Sequence, residues 1–148
     1  MATKEDEMLK LVALDEEDLK IVSAHLQDAV MQVGDLTYLA NEKRFVLACN
    51  RFVWEKTFLK RRKAKERRRT ALHFERVTKV QAKNIRRNAK DAVVNLLAIQ
   101  FEQGDTPSGT VELIFSGDGI IRLEVECIEA QLSDLGGAWS TGSEPTHE

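Results

Sequence analysis

The sequence predicts an α+β fold, built mainly from an antiparallel β barrel or sandwich of about seven strands. An N-terminal helix and a C-terminal capping helix complete the predicted fold. Three observations support it. Apolar and polar residues alternate through the middle of the chain, apolar residues recur at helical spacing near both ends, and 148 residues with 43% hydrophobic content suit one domain.

The N-terminal part of the chain predicts a short strand followed by a helix. Residues 9–14 are mostly apolar and form the candidate first strand. Asp15 then suits a helix N-cap, because its carboxylate can accept a hydrogen bond from an N–H group of the first turn. Leu19 and Val22 follow at helical spacing, so we expect an amphipathic helix over residues 16–30.

Alternation of apolar and polar residues predicts the strands. Residues 30–39 and 44–54 are expected to form a β-hairpin joined by a polar turn. The segment from Gly117 to Gly119 suits the tight turn of a second hairpin. The remaining predicted strands cover residues 70–75, 77–83, 92–102, 110–115 and 121–125.

The end of the chain predicts the capping helix. Ile128, Leu132 and Leu135 fall with Val125 on one helical stripe, and a Gly-Gly pair follows as a stop. This order of elements resembles the pleckstrin-homology-like barrel, in which a C-terminal helix closes two near-orthogonal sheets, and the resemblance implies a fold alone. The alternative is an α+β sandwich with both helices on one face of a single curved sheet.

We expect one domain over residues 9–139, an N-terminal tail over residues 1–8 and a disordered tail over residues 140–148. The acidic N-terminus lacks the basic start and apolar stretch of a secretory signal, and no apolar run reaches the ~20 residues that span a bilayer. These features predict a cytoplasmic protein without membrane insertion. Cys49 and Cys127 lie among apolar residues, which predicts buried thiols rather than a disulfide.

Charge is strongly segregated along the chain. The net charge is −2, but residues 1–55 carry −5, residues 56–90 carry +13 and residues 91–148 carry −10. Nine of the fourteen residues from 56 to 69 are Lys or Arg, and one is acidic. Such a segment cannot be buried without partners, so we expect a solvated, partly helical loop between two strands.

These basic residues are the candidate binding site. They are predicted to contact the protein's own acidic C-terminal third or an acidic partner protein, with RNA or another polyanion as the alternative, because guanidinium groups bind both carboxylates and phosphates. No helix-turn-helix, zinc-finger or RNA-binding motif supports that alternative. Exposed strand edges and charge complementarity also allow a homodimer. The candidate residues are Lys60, Arg61, Arg62, Lys63, Arg67, Arg68, Arg69, Arg86 and Arg87.

A catalytic, metal or cofactor site is not evident from the sequence. The three histidines, His25, His73 and His147, are scattered, and no metal-ligand spacing or glycine-rich phosphate loop occurs. A dyad of Cys49 and His73 lacks local support. We therefore expect a non-enzymatic binding or adaptor module without a catalytic residue, metal or cofactor. An enzyme with a site in a barrel mouth is the remaining alternative.

Three stretches of the chain resemble one protein family. They are LDEEDLKIVSAHLQDA at residues 14–29, NRFVWE at 50–55 and IRLEVECIEA at 121–130. The family that they resemble is small and chiefly alphaproteobacterial, and it carries only a domain-of-unknown-function label. The resemblance implies a stand-alone cytosolic bacterial protein, and it brings no activity, cofactor or catalytic residue.

Overall fold

The structure is a computed structural model that describes residues 8–56 and 62–140. The N-terminal and C-terminal tails predicted over residues 1–8 and 140–148 therefore lie almost wholly outside the described residues. Two 3-10 turns, Val33–Asp35 and Ala40–Glu42, flank the third strand. The main elements are β1 (Lys10–Ala13), α1 (Glu16–His25), β2 (Ala29–Gln32), β3 (Leu36–Leu39), β4 (Arg44–Lys56), β5 (Arg62–Phe74), β6 (Val77–Lys83), β7 (Val93–Gln103), β8 (Gly109–Phe115), β9 (Ile120–Val125) and β10 (Ala130–Ser140).

The strands form one antiparallel sheet in the order β1-β10-β5-β4-β2-β7-β8-β9-β6, with β3 added beside β4. The ladder is open, because β1 and β6 are its two ends. Two hydrogen bonds hold the β6 end near the β3–β4 hairpin. The Val77 N–H donates to the Lys43 carbonyl at 2.8 Å, and the Tyr38 hydroxyl donates to the Val77 carbonyl at 2.8 Å. The sheet therefore curls until β6 approaches β3.

Helix α1 begins where the sequence predicts. Asp15 caps it by accepting a hydrogen bond from the Asp18 N–H at 2.8 Å, and the helix buries Leu19 and Val22. The predicted helix over residues 16–30 is too long, because α1 ends at His25. The backbone of Asp28 has a φ of 66°, a left-handed value that ends the helical path before β2 begins.

The α+β class is confirmed, but the predicted count of seven strands is wrong. The described residues form ten strands, in part because a 3-10 turn divides the segment at 30–39 into β2 and β3. The hairpin turn from Gly117 to Gly119 is confirmed, with the Phe115 N–H donating to the Gly119 carbonyl at 2.8 Å. The predicted basic loop is also wrong over residues 62–69, which are strand rather than loop or helix, and residues 57–61 lie outside the described residues.

The predicted C-terminal capping helix is wrong, because this segment is β10, a strand between β1 and β5. Spacing of four between Ile128 and Leu132 fits either a helix or a strand. The buried positions alternate through Ala130, Leu132 and Asp134, which is the strand period. Because Asp134 is a carboxylate at a buried position, the sequence does not show this alternation as one of apolar and polar residues. The helix closure expected from the pleckstrin-homology resemblance is therefore absent.

The apolar core lies between α1 and the inner face of the curled sheet. Cys49 is part of this core, whereas Cys127 is only half-buried, so the prediction of two buried thiols holds for one. On β4 the inward positions are Phe45, Leu47 and Cys49, and the next inward position is Arg51. The core thus changes from apolar to charged at one end of β4.

Candidate cationic interface

A buried ion pair lies where the apolar core ends. Arg51 on β4 reaches across β5 to Asp134 on β10, with its Nε 2.9 Å from Oδ1 and its Nη2 2.8 Å from Oδ2. Thr70 on β5 donates its hydroxyl to Asp134 Oδ1 at 2.7 Å, and the Leu9 N–H donates to Oδ2 at 2.8 Å. One carboxylate therefore joins three neighbouring strands and the start of the described chain.

The environment favours the charged form of Asp134. The Asp134 side chain is 0% exposed and that of Arg51 is 7% exposed. Burial by itself raises the pKa of Asp134, but the hydrogen bonds from Arg51, Leu9 and Thr70 outweigh it and hold the pKa below its ordinary value. The bidentate guanidinium contact is the strong form of this pairing.

The two-residue period of the strands explains why charged residues face inward here. On β5 the buried positions Phe74, Leu72 and Thr70 lead to Arg68, which is 2% exposed. Arg68 stands opposite Arg51 in the β4–β5 ladder, and its Nη1 lies 3.6 Å from Met8 Sδ. Sequence reasoning missed this cluster, because Arg51 and Asp134 are 83 residues apart and each fits a solvent-facing position.

Burial shifts the pKa values of two titratable groups near the ion pair. Burial, and then the charge of Arg51, lower the pKa of His25, while Asp134 opposes them. Burial raises the pKa of Cys49 to about 12, against the smaller opposing effect of Arg69 and Arg51, so its reactive thiolate is scarce. His73 lies on the other face of the strands and contacts Glu75, with 2.7 Å between Nδ1 and Oε2. No Cys49–His73 dyad forms.

The basic residues of β5 divide between the two faces of the strand. Lys60 and Arg61 lie outside the described residues, and the backbones of Arg62 and Lys63 pair with Lys56 and Glu55 on β4. Arg68 is buried, so it cannot contact a partner as predicted. Arg67 and Arg69 alternate with it and are half-buried on the opposite face.

The Val33–Asp35 turn connects these arginines with the second group of predicted cations. Arg69 lies on one side of the turn, with its Nη2 3.6 Å from Asp35 Oδ1 and its Nη1 3.4 Å from Asn50 Oδ1. On the other side, the Gly34 N–H donates to the Lys90 carbonyl at 2.9 Å. Lys90 belongs to the β6–β7 connection, which also carries Arg86 and Arg87. We name the half-buried or exposed cations of these two segments the cationic surface, and its members are Arg67, Arg69, Arg86, Arg87 and Lys90.

Part of the acidic C-terminal third is paired elsewhere in the molecule. Glu126 lies 3.0 Å from Lys43, and Glu129 lies 3.3 Å from Arg76, at the turns that begin β4 and β6. The exposed Arg122 pairs within the third itself, with Glu112 at 3.4 Å. Some acidic residues of the C-terminal third thus form ion pairs with basic residues of this same chain.

Residues 8–56 and 62–140 contain no cluster of three or more His, Cys, Asp or Glu side chains placed to hold a metal ion. Within the same ranges, none of the helices combines the length and apolar character needed to cross a membrane.

A protein-family model described as "Protein of unknown function (DUF2948)" matches residues 9–147. The chain belongs to this family. The match confirms the domain-of-unknown-function label implied by the resemblance. The matched residues include both the buried ion pair and the cationic surface. No curated protein and no solved structure matches the chain.

Proposed function

We propose that the chain is a non-enzymatic binding module whose cationic surface binds an acidic segment of a partner protein. The observation that carries the proposal is the meeting of two separate basic segments at the Val33–Asp35 turn. Arg67 and Arg69 come from β5, while Arg86, Arg87 and Lys90 come from the β6–β7 connection. Such a concentration of one charge attracts and orients a partner of the opposite charge.

The position of Asp35 favours a protein partner over a nucleic acid. Asp35 lies within this surface beside Arg69, and its side chain is 27% exposed. A phosphate backbone repeats its negative charge at close spacing, so this carboxylate opposes it. An acidic protein segment can instead place its carboxylates at the arginines and a backbone N–H donor at Asp35, because the spacing of its charges is not fixed.

The length of β4 and β5 favours nucleic acid binding as the second candidate. Their ladder continues to Lys56 and Arg62, which makes a long two-stranded ribbon rich in basic residues. The DNA major groove admits such a ribbon. Burial of Arg51 and Arg68 weakens this candidate, because two of the ribbon's cations face the core.

Fluorescence anisotropy tests the proposal. A labelled peptide of alternating Glu and Gly is titrated with the protein, alongside a single-stranded RNA and a duplex DNA of equal charge, from low to physiological salt. We expect the peptide to bind, and a variant with Arg67→Gln and Arg69→Gln to bind it about tenfold more weakly. The variant with Arg86→Gln and Arg87→Gln has the same expected loss.

A matched control removes the same charge elsewhere. Lys10 and Lys20 are exposed on β1 and α1, and changing both to Gln should alter the peptide affinity by less than about twofold. Peptide binding that is absent at low salt, or lost equally in this control, contradicts the proposal. Binding of RNA or DNA with a steep salt dependence, in the absence of peptide binding, supports the second candidate instead.

A further inference from the structure

A pocket of about 410 Å³ opens between β3 and β6. This volume lies within the range of about 300–1,000 Å³ that small-molecule sites occupy. Its floor includes Phe45 of β4 and Ile121 of β9, which both belong to the buried core. The apolar side chains that line it include Leu36, Phe45, Val80, Ala82, Ile85 and Ile121.

The open ladder explains why the pocket exists. Tyr38 and Val77 hold β3 and β6 together at one point, where the hydroxyl donates to the carbonyl. Farther along β6, Val80 and Ala82 line the pocket together with Leu36 and Thr37 of β3. The pocket is thus the site where the curled sheet stops short of closing, and it gives access from outside to the apolar core.

Two cations stand at the pocket. Arg87 and Lys90 are exposed and line it, and among its described lining residues there is no carboxylate. Neither cation forms an ion pair with a side chain that the structure describes. Gly34 also lines the pocket, and a Cβ at this position would lie 3.2 Å from Lys90 Cβ. The missing side chain therefore lets the β6–β7 connection approach the turn closely.

We infer that this pocket binds an amphipathic carboxylate, a small organic acid with an apolar body. The apolar body removes core-facing surface from water, while the carboxylate contacts Arg87 and Lys90. The Tyr38 hydroxyl already donates to Val77, and the other hydroxyl of the lining, that of Thr37, is uncharged, so the two cations are the groups that favour a negatively charged head on the ligand. This inference goes beyond the proposed function, which requires the cationic surface and no pocket.

Isothermal titration calorimetry with straight-chain carboxylates from hexanoate to dodecanoate tests the inference. We expect the affinity to rise about fourfold with each added methylene until the pocket is full, and then to level off. Decylammonium has an apolar body like that of decanoate and the opposite charge, so it should bind at least about tenfold more weakly. Absence of binding at millimolar decanoate, or equal binding of decylammonium, overturns the inference.

Substitutions in and near the pocket test whether decanoate binds there. Arg87→Gln together with Lys90→Gln should weaken decanoate binding about tenfold, while Lys83→Gln, an exposed control outside the pocket, should change it by less than about twofold. Ala82→Phe fills the pocket and should abolish decanoate binding. Unchanged binding in Ala82→Phe, or an equal loss in Lys83→Gln, places the ligand elsewhere and overturns the inference.

Two further measurements keep the test independent of folding and of the proposed function. If Ala82→Phe fails to fold, Arg87→Glu reverses an exposed charge and should weaken decanoate binding at least about tenfold without a change in the circular dichroism spectrum. Unchanged decanoate binding in Arg87→Glu overturns the inference. A folded Ala82→Phe protein should still bind the acidic peptide, because the cationic surface keeps all its charges. Loss of decanoate binding with retained peptide binding therefore separates the two proposals.

Discussion

Asp134 is the carboxylate of the buried ion pair at the charged end of the core. Four hydrogen bonds reach its two oxygens, from Arg51, Thr70 and the Leu9 N–H. Paired charges in such a site contribute little net stability relative to apolar residues of the same shape, but one unpaired charge left in the core is costly. The two members of the ion pair are therefore tightly coupled.

Asp134→Leu should lower the free energy of unfolding by about 3–5 kcal/mol, because it leaves the buried Arg51 without its carboxylate. The double variant Asp134→Leu with Arg51→Met should recover most of this loss. Urea denaturation measures both. Glu17→Ala removes the exposed pair with Lys20 and serves as a control, with an expected change below about 0.5 kcal/mol. A small effect of Asp134→Leu, or no recovery in the double variant, would show that the ion pair is not coupled.

The lowered pKa of His25 predicts how the free energy of unfolding depends on pH. Burial and Arg51 lower its pKa from 6.5, so below pH 6.5 the unfolded chain binds the proton more readily than the folded chain. The free energy of unfolding should therefore decrease as the pH falls from 6.5 towards the lowered pKa. The contribution of Asp134 is present above its ordinary pKa of 3.8 and is lost as the pH falls through the lowered pKa, in a more acidic range.

Urea denaturation at pH 7.5 and at pH 5.5, about one unit above and below the ordinary pKa of histidine, measures this effect. We expect His25→Gln to reduce the difference between the two unfolding free energies. His73→Gln is the control, because His73 lies on the other face of the sheet and its variant should keep the difference contributed by His25. Equal pH dependence in the wild type and in His25→Gln would refute this assignment.

Clean alternation of apolar and polar residues makes two strands easy to predict. Strands β8 and β9 alternate cleanly around their turn, and both were expected close to their observed bounds. Strands β5 and β10 carry Arg68 and Asp134 on the core side, so their alternation is hidden. The pairing of those charges across the sheet depends on tertiary contacts that periodicity does not encode.

The β7–β8 hairpin depends on the absence of a side chain at Gly109. A Cβ there would lie 2.6 Å from the Glu102 carbonyl oxygen and would also overlap the ring of Phe101. Because a backbone atom has to move, Gly109→Ala should lower the free energy of unfolding by about 1–3 kcal/mol.

Gly104 in the same hairpin offers a matched control, since a Cβ there would meet its nearest atom at 3.5 Å. Gly104→Ala should change the free energy of unfolding by less than about 0.5 kcal/mol. Chemical denaturation compares the two variants. Equal stability of both proteins would show that the close approach at Gly109 has no energetic importance.

At the scale of the whole molecule, the sequence predicts which residues are basic but not how they are arranged. Charge segregation identifies Arg69, Arg86 and Arg87, and the fold brings their segments together at the Val33–Asp35 turn. The same reasoning wrongly includes Arg68, because a strand face decides its burial. The pocket between β3 and β6 also depends on how far the sheet curls, which no local pattern determines.

We propose above all that this turn and the cations around it form the binding surface for an acidic partner. Amide chemical shifts of the ¹⁵N-labelled protein, recorded during titration with the Glu-Gly peptide, test it most directly. We predict shifts at Gly34, Asp35, Arg69, Arg86 and Arg87, with the amides of α1 unchanged. Shifts that occur elsewhere, or that are absent while RNA produces them at these same residues, would contradict the claim.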